Sequence, residues 1–138
     1  PQIIEYQLKM ALETENLWLD ESTVQRGVKA VFQYPSKGKY FMAETNNEVV
    51  GTLLITYEWS DWRNATVLWL QSVFVKQEHR GKGVFKTMFQ FIKNLVKSTT
   101  AYCGVRLYVV KTNQQARSAY KKLGMSHHHY EMFEWMDH

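Results

Sequence analysis

The sequence predicts an α/β fold in one domain, residues 1–138, with a mixed sheet covered by helices. Three observations predict it. Two strand-like runs flank Asn46-Asn47, which implies an antiparallel hairpin. From Ala65 onward strand-like and helix-like periods alternate, which implies strand-helix-strand crossovers. The chain has 138 residues and is 45% hydrophobic, enough to bury one core and too apolar for disorder. No repeat, low-complexity tract or linker interrupts it.

The elements follow in chain order. Ile4, Leu8, Ala11 and Leu12 keep helical spacing, so residues 2 to 13 read as an amphipathic helix. Ser22 with Gln25 forms a capping-box pattern. Val24, Val28, Val31 and Phe32 mark the second helix, which stops before Pro35. KYFMAETNNEVVGTLLITYEW gives two strands around a tight turn, because Asn tolerates positive φ. ATVLWLQSVFV is a third strand, rich in β-branched and aromatic residues. Residues 84 to 98 form a helix with Val84, Met88, Ile92 and Leu95 on one face, and GVRLYVV is a fourth strand. Asn113 to Leu123 is a helix with Ala116, Tyr120 and Leu123 inward, ended by Gly124. HHYEMFEW is expected as a last strand. The crossovers should be right-handed, and ligands gather at the C-terminal ends of such strands.

Composition narrows the function classes. The net charge of +4 is spread without a long basic block, so it suits an anionic ligand better than nucleic acid. The single cysteine, Cys103, excludes an internal disulfide framework and fits a reducing cytoplasm. No apolar run reaches the roughly 18 residues of a membrane span. The sequence starts at Pro1 without Met, which leaves open whether its beginning is trimmed. The His127-His128-His129 run does not read as a metal site, because neighbouring strand residues point to opposite faces.

The stretch with most chemical content is EHRGKGVFK, Glu78 to Lys86, between the third strand and the helix after it. A helix N-terminus offers unpaired N–H groups and partial positive charge. Glycines let backbone approach an anion, and Arg80 and Lys82 add charge. The stretch therefore reads either as a pyrophosphate cradle or as a basic turn at a helix start. A P-loop fails here, since Phe85 precedes Lys86-Thr87 and Arg80 replaces the earlier glycine. The dinucleotide pattern fails too, with Lys86 at its third glycine.

SVFVKQEHRGKGV follows Arg/Gln-x-x-Gly-x-Gly/Ala through Gly83 after a hydrophobic strand, and so resembles the pyrophosphate loop of the GNAT superfamily of N-acetyltransferases. TNQQARSAYKKLGM resembles that family's second signature at Asn113, Ala116, Tyr120, Leu123, Gly124 and Met125. YEWSDWRN resembles a segment of bacterial members, and the likeness covers residues 40 to 135. It implies an acyl-CoA N-acyltransferase fold, a mostly antiparallel sheet whose parallel central strands splay between residues 67–75 and 104–110. The family's first strand has no counterpart ahead of the first helix.

The resemblance also implies roles. The backbone of Phe74 and Val75 would meet the pantetheine arm. Arg80, Gly81, Lys82, Gly83, Val84, Phe85 and Lys86 would wrap the pyrophosphate of acetyl-CoA, with no metal. Asn113 would contact the pantetheine, and Tyr120 would stand near the sulfur. Phe85 replaces a small residue, but only its amide is required, so its ring is expected to turn into the core.

Acetyl transfer to an amine needs N–H donors for an oxyanion, an acid for the leaving thiolate and a route for the amine proton. Tyr120 is the candidate acid; its other reading is a core tyrosine. Asn113 is compatible with a helix cap. Glu58 and Asp61 are the nearest carboxylates for a base or for substrate binding, against a reading as surface charges. Trp59 and Trp62 either wall an acceptor pocket or pack on the sheet. Glu13, Glu15, Asp20 and Glu21 cluster at the link between the first two helices and would suit a cationic amine. The expected partner is a small-molecule primary amine; polyamine, amino sugar, amino acid and protein lysine all remain open. A homodimer is expected by analogy with the family. The alternative function is a non-catalytic acyl-CoA sensor or interaction module.

Overall fold

A computed structural model describes residues 1–137. The chain opens on two helices, α1 (Gln2–Glu15) and α2 (Glu21–Gln33). Three strands follow, β1 (Lys39–Thr45), β2 (Glu48–Ser60) and β3 (Ala65–Val75), then α3 (Val84–Lys97), β4 (Tyr102–Arg106) and α4 (Gln114–Lys122). The sheet order is β1-β2-β3-β4. The first three strands are antiparallel and β4 is parallel to β3. The mixed sheet read from the sequence is therefore present, with β3-α3-β4 as its crossover.

Local chemistry explains the elements. The β1–β2 turn works because Asn46 and Asn47 both adopt positive φ, 51° and 62°. α2 is capped differently from the expected capping box. Asp20 is the N-cap, and its carboxylate accepts from Thr23 N–H at 2.8 Å and from the Ser22 hydroxyl at 2.8 Å. A carboxylate satisfies the first amides more strongly than Ser22 can, so the helix starts at Glu21. The buried face of α1 is Ile3, Tyr6 and Ala11, with Ile4, Leu8 and Leu12 half-buried beside them.

Strand alternation sorts the two faces of the sheet. Leu53 and Ile55 of β2 and Leu68 and Leu70 of β3 pack against Met88, Phe89 and Ile92 of α3, forming the core. On the other face α1 is anchored by Tyr6, whose ring lies 4.7 Å from that of Phe74 and whose hydroxyl donates to Val49 O at 2.7 Å. α2 joins it through Phe32, stacked 5.5 Å from Tyr40.

Two strand expectations need correction. The fourth strand was expected over residues 104–110 but runs Tyr102–Arg106, because β3, its one strand neighbour among the described residues, pairs with it no further than Trp69↔Arg106. HHYEMFEW forms no strand. It has the composition for one but no ladder partner among the described residues, and every residue from Ser126 to Asp137 is exposed. Among the described residues, no helix is long and apolar enough to cross a membrane.

Candidate active site

The glycine-rich stretch lies between β3 and α3. Gly81 and Gly83 adopt φ of 75° and 82°, the region where glycine is at ease. A Cβ built on either would meet nothing within 4 Å, so these glycines face open space and not packed protein. Gly83 is the N-cap of α3 and supplies no side-chain cap. The first amide satisfied by the helix is Thr87 N–H, bonded to Gly83 O at 3.0 Å. The amides of Gly81, Lys82, Gly83, Val84, Phe85 and Lys86 thus have no acceptor among the described residues. With the helix dipole behind them, they form a row of donors suited to an anion.

Arg80 behaves unlike its two glycine neighbours. Its guanidinium donates to Val75 O at 2.8 Å and to Glu13 Oε2 at 2.6 Å, and it lies over the Phe74 ring at 5.4 Å. The side chain braces the loop against β3 and the end of α1. Lys82 and Lys86 remain exposed beside the free amides.

The end of β3 carries a feature the element reading missed. Thr52 pairs with Phe74 and Leu54 with Gln71, so Ser72 and Val73 together oppose Leu53. This is a β-bulge, with Ser72 at φ 54°. The bulge reverses the alternation. Leu68 and Leu70 face α3 before it, whereas Val73 and Val75 do so after it, and Phe74 turns to Tyr6. The apolar spacing 68, 70, 73, 75 contains that signal in the sequence. Just before the bulge, pairing of β3 with β4 stops at Trp69↔Arg106. The β4-facing edge of Leu70 to Val75 therefore has no strand beside it, where the splayed strands were expected.

α4 brings two expected residues to the same side of the sheet as the loop. Asn113 is its N-cap, with Oδ1 accepting from Ala116 N–H at 3.1 Å. Tyr120 is half-buried, and its ring meets that of Phe85 at 5.5 Å in an edge-on arrangement. Phe85 also lies 6.0 Å from Phe89 and packs on the core. The Phe85 ring thus turns inward and leaves its amide at the helix start. Burial pushes the Tyr120 phenol above its usual pKa, so it stays protonated near neutrality. Its hydroxyl has no hydrogen-bond partner among the described residues.

The face carrying α1 and α2 opens into a shallow cleft of about 360 Å³, lined by Thr56, Tyr57, Glu58, Trp69, Gln71 and Tyr108. Glu58 Oε1 accepts from Trp69 Nε1 at 2.7 Å, and Arg106 Nη1 donates to both Glu58 oxygens at 2.9 and 3.1 Å. These bonds, with Trp69 first and Arg106 after it, hold the carboxyl below its usual pKa. Gln71 donates to Thr56 Oγ1 at 2.6 Å. Sequence reasoning singled out Glu58 but missed Trp69, Arg106 and Tyr108, whose meeting depends on strand register.

Asp61 does not line this cleft: it is exposed in the β2–β3 turn, three residues past Glu58. Trp59 and Trp62 are likewise exposed. Of the acidic cluster, Glu13 pairs with Arg80 and Asp20 caps α2, so both charges already have partners.

Comparison with known proteins agrees with this geometry. The model of the acetyltransferase (GNAT) family matches residues 7–125. A possible acetyltransferase from Clostridium difficile 630 is 41% identical, with a TM-score of 0.91 over 98% of this chain and 89% of that one. A predicted acetyltransferase from Clostridium acetobutylicum, solved with acetyl-CoA, shares the fold at 17% identity, TM-score 0.73, 99% of this chain and 86% of that one. Glucosamine-6-phosphate N-acetyltransferase from Arabidopsis thaliana does so at 20% identity, TM-score 0.65, 97% and 94%. Comparison with curated protein sequences gives no match. With the family match spanning both signature stretches, the free amides at the start of α3 and Tyr120 on α4 acquire a common context: the chain belongs to the GNAT family of acetyl-CoA-dependent N-acetyltransferases.

Proposed function

We propose that the protein transfers the acetyl group of acetyl-CoA to a small primary amine by direct attack of the amine on the thioester. One observation carries the reading: six consecutive amides, Gly81 to Lys86, lack acceptors beside the point where β3 and β4 part. Acetyl-CoA supplies the activated acetyl thioester. The chain's part is to hold, orient and move protons. The Gly81–Lys86 amides bind the pyrophosphate, with Lys82 and Lys86 as counter-charges. Arg80 keeps the loop in shape through Val75 O and Glu13. The unpaired edge of β3 at Phe74 and Val75 takes the pantetheine arm in the manner of an added strand, and Asn113 closes on it from the start of α4. The carbonyl of Val75 is already occupied by Arg80, so the arm uses the remaining backbone groups.

Tyr120 donates its phenolic proton to the departing sulfur. Its raised pKa supports an acid, since the group remains loaded with its proton. Glu58 is a fixed negative charge and not a base, because Trp69 and Arg106 hold it ionised. It helps to seat the acceptor in the cleft, and the amine proton leaves by water. In this reading the enzyme is cytoplasmic and self-associates.

The test is a thiol-release assay with acetyl-CoA and a panel of polyamines, amino sugars, amino acids and lysine peptides. Amine-dependent release of coenzyme A, lost in Tyr120→Phe with acetyl-CoA affinity kept, supports the reading. Binding without release for any amine would favour a sensor.

A further inference from the structure

A second cavity adjoins the acceptor cleft. It measures about 170 Å³ and is lined by Arg63, Val67, Cys103, Gly104, Val105 and Arg106. Val67 and Trp69 alternate onto one face of β3, and their partners on β4 are Gly104 and Arg106, so cleft and cavity follow one another along the strands. A Cβ built on Gly104 would meet nothing within 4 Å, so this stretch of the sheet is open. Two arginines line the cavity, with one carboxylate beside it. Arg106 commits Nη1 to Glu58, while its Nε and Nη2 have no hydrogen-bond partner among the described residues. Arg63 is exposed in the β2–β3 turn, and its side chain makes no hydrogen bond or ion pair among the described residues. Glu58 neutralises one guanidinium, which leaves one positive charge over.

We propose that Arg63 and Arg106 form a subsite for an anionic group, carboxylate or phosphate, carried by the acceptor at the end remote from its amine. A guanidinium presents forked N–H donors that match the oxygens of either anion. The inference rests on the acetyl-transfer reading, which sets the thioester at the Phe74–Val75 edge. Gln71 is the cleft residue nearest that edge along β3, and the cavity lies level with Val67 to Trp69. Amine and anion are therefore two to four residues apart along the strand, roughly 7–13 Å. An α-amino acid, with both groups on one carbon, is too short to reach both places. A polyamine would bring a second cation to a cavity that already has one in excess. The class selected is an elongated primary amine with a negative far end.

The test uses amines matched in length: 6-aminohexanoate, 6-aminohexyl phosphate, hexylamine and 1,6-diaminohexane. Thiol release from acetyl-CoA should give a kcat/KM roughly tenfold or more higher for the two anionic amines than for the other two. The better of the two anions identifies the group the subsite takes. Arg63→Gln, at an exposed turn position, should raise KM for the anionic amines about tenfold, with kcat and the KM for hexylamine unchanged. Calorimetric titration of the same amines into protein carrying coenzyme A reads the subsite without turnover. Saturable binding of an anionic amine, weakened in Arg63→Gln, supports the subsite even where no thiol is released; that outcome would remove acetyl transfer and keep the subsite. Equal kcat/KM for hexylamine, no binding of either anionic amine, or binding untouched by Arg63→Gln would overturn the subsite, and amine-dependent thiol release would then leave acetyl transfer standing.

Discussion

In the proposed mechanism, Tyr120 is the residue on which the chemistry turns. Its phenol is held above the ordinary value near 10 by burial, so its proton is present through the neutral range. Tyr120→Phe should lower kcat roughly a hundredfold or more, the scale of a lost general acid, with KM for acetyl-CoA little changed. The sign of the shift also fixes the pH profile: Tyr120 should produce no falling limb in kcat below about pH 10. Steady-state kinetics from pH 6 to 10 measures both. Thr52 makes a different prediction. It is 1% exposed and its hydroxyl has no partner, which costs stability. Thr52→Val should raise stability by about 1 kcal/mol. In thermal unfolding this is roughly 3–5 °C for a domain of this size. Tyr120 was legible as a candidate site residue from its place in the second signature. The lone Thr52 hydroxyl was not, because burial depends on what α1 covers.

At the scale of elements, the local chemistry was readable and the long-range pairing was not. Asn46-Asn47, the α3 stripe and the Gly124 stop each depend on neighbours in sequence, and all are found where expected. The end of β4, the bulge at Ser72 and the absence of a strand over HHYEMFEW depend on which strand lies alongside. The cap of α2 fell between these cases: two adjacent candidates, Asp20 and Ser22, competed, and the charged one won. Its consequence is testable. The Thr23 and Ser22 hydroxyls and the Thr23 amide lower the Asp20 pKa from 3.8 to about 2. Because the folded value is depressed, the contribution is complete above about pH 4 and fades as the pH falls from there toward 2. Asp20→Ala should remove it at all pH values and speed amide exchange in the first turn of α2, leaving α3 unaffected. The same element logic applies to the loop. Gly83→Asp places a carboxylate at the start of α3, at a φ that costs an L-residue roughly 1–2 kcal/mol. The fold should survive, since no atom lies within 4 Å of the added Cβ. Acetyl-CoA affinity should fall by a hundredfold or more, read by titration beside a circular dichroism control.

Over the whole molecule, the sheet acts as a frame between two half-sites. One face carries α3 and α4, hence the free amides and Tyr120; the other carries α1, α2 and the Glu58–Arg106 cleft. The bulge and the early end of β4 leave the edge of Leu70 to Val75 unpaired, and Arg80 ties the loop to α1 through Glu13. Binding at the loop should therefore be the first event, available before any acceptor is known. A calorimetric titration of the wild-type chain with acetyl-CoA at moderate salt tests this most directly. The account predicts saturable micromolar binding, one acetyl-CoA per chain, abolished in Gly83→Asp. No binding by the folded wild type would contradict it, and would reduce Gly81 to Lys86 to a basic helix cap.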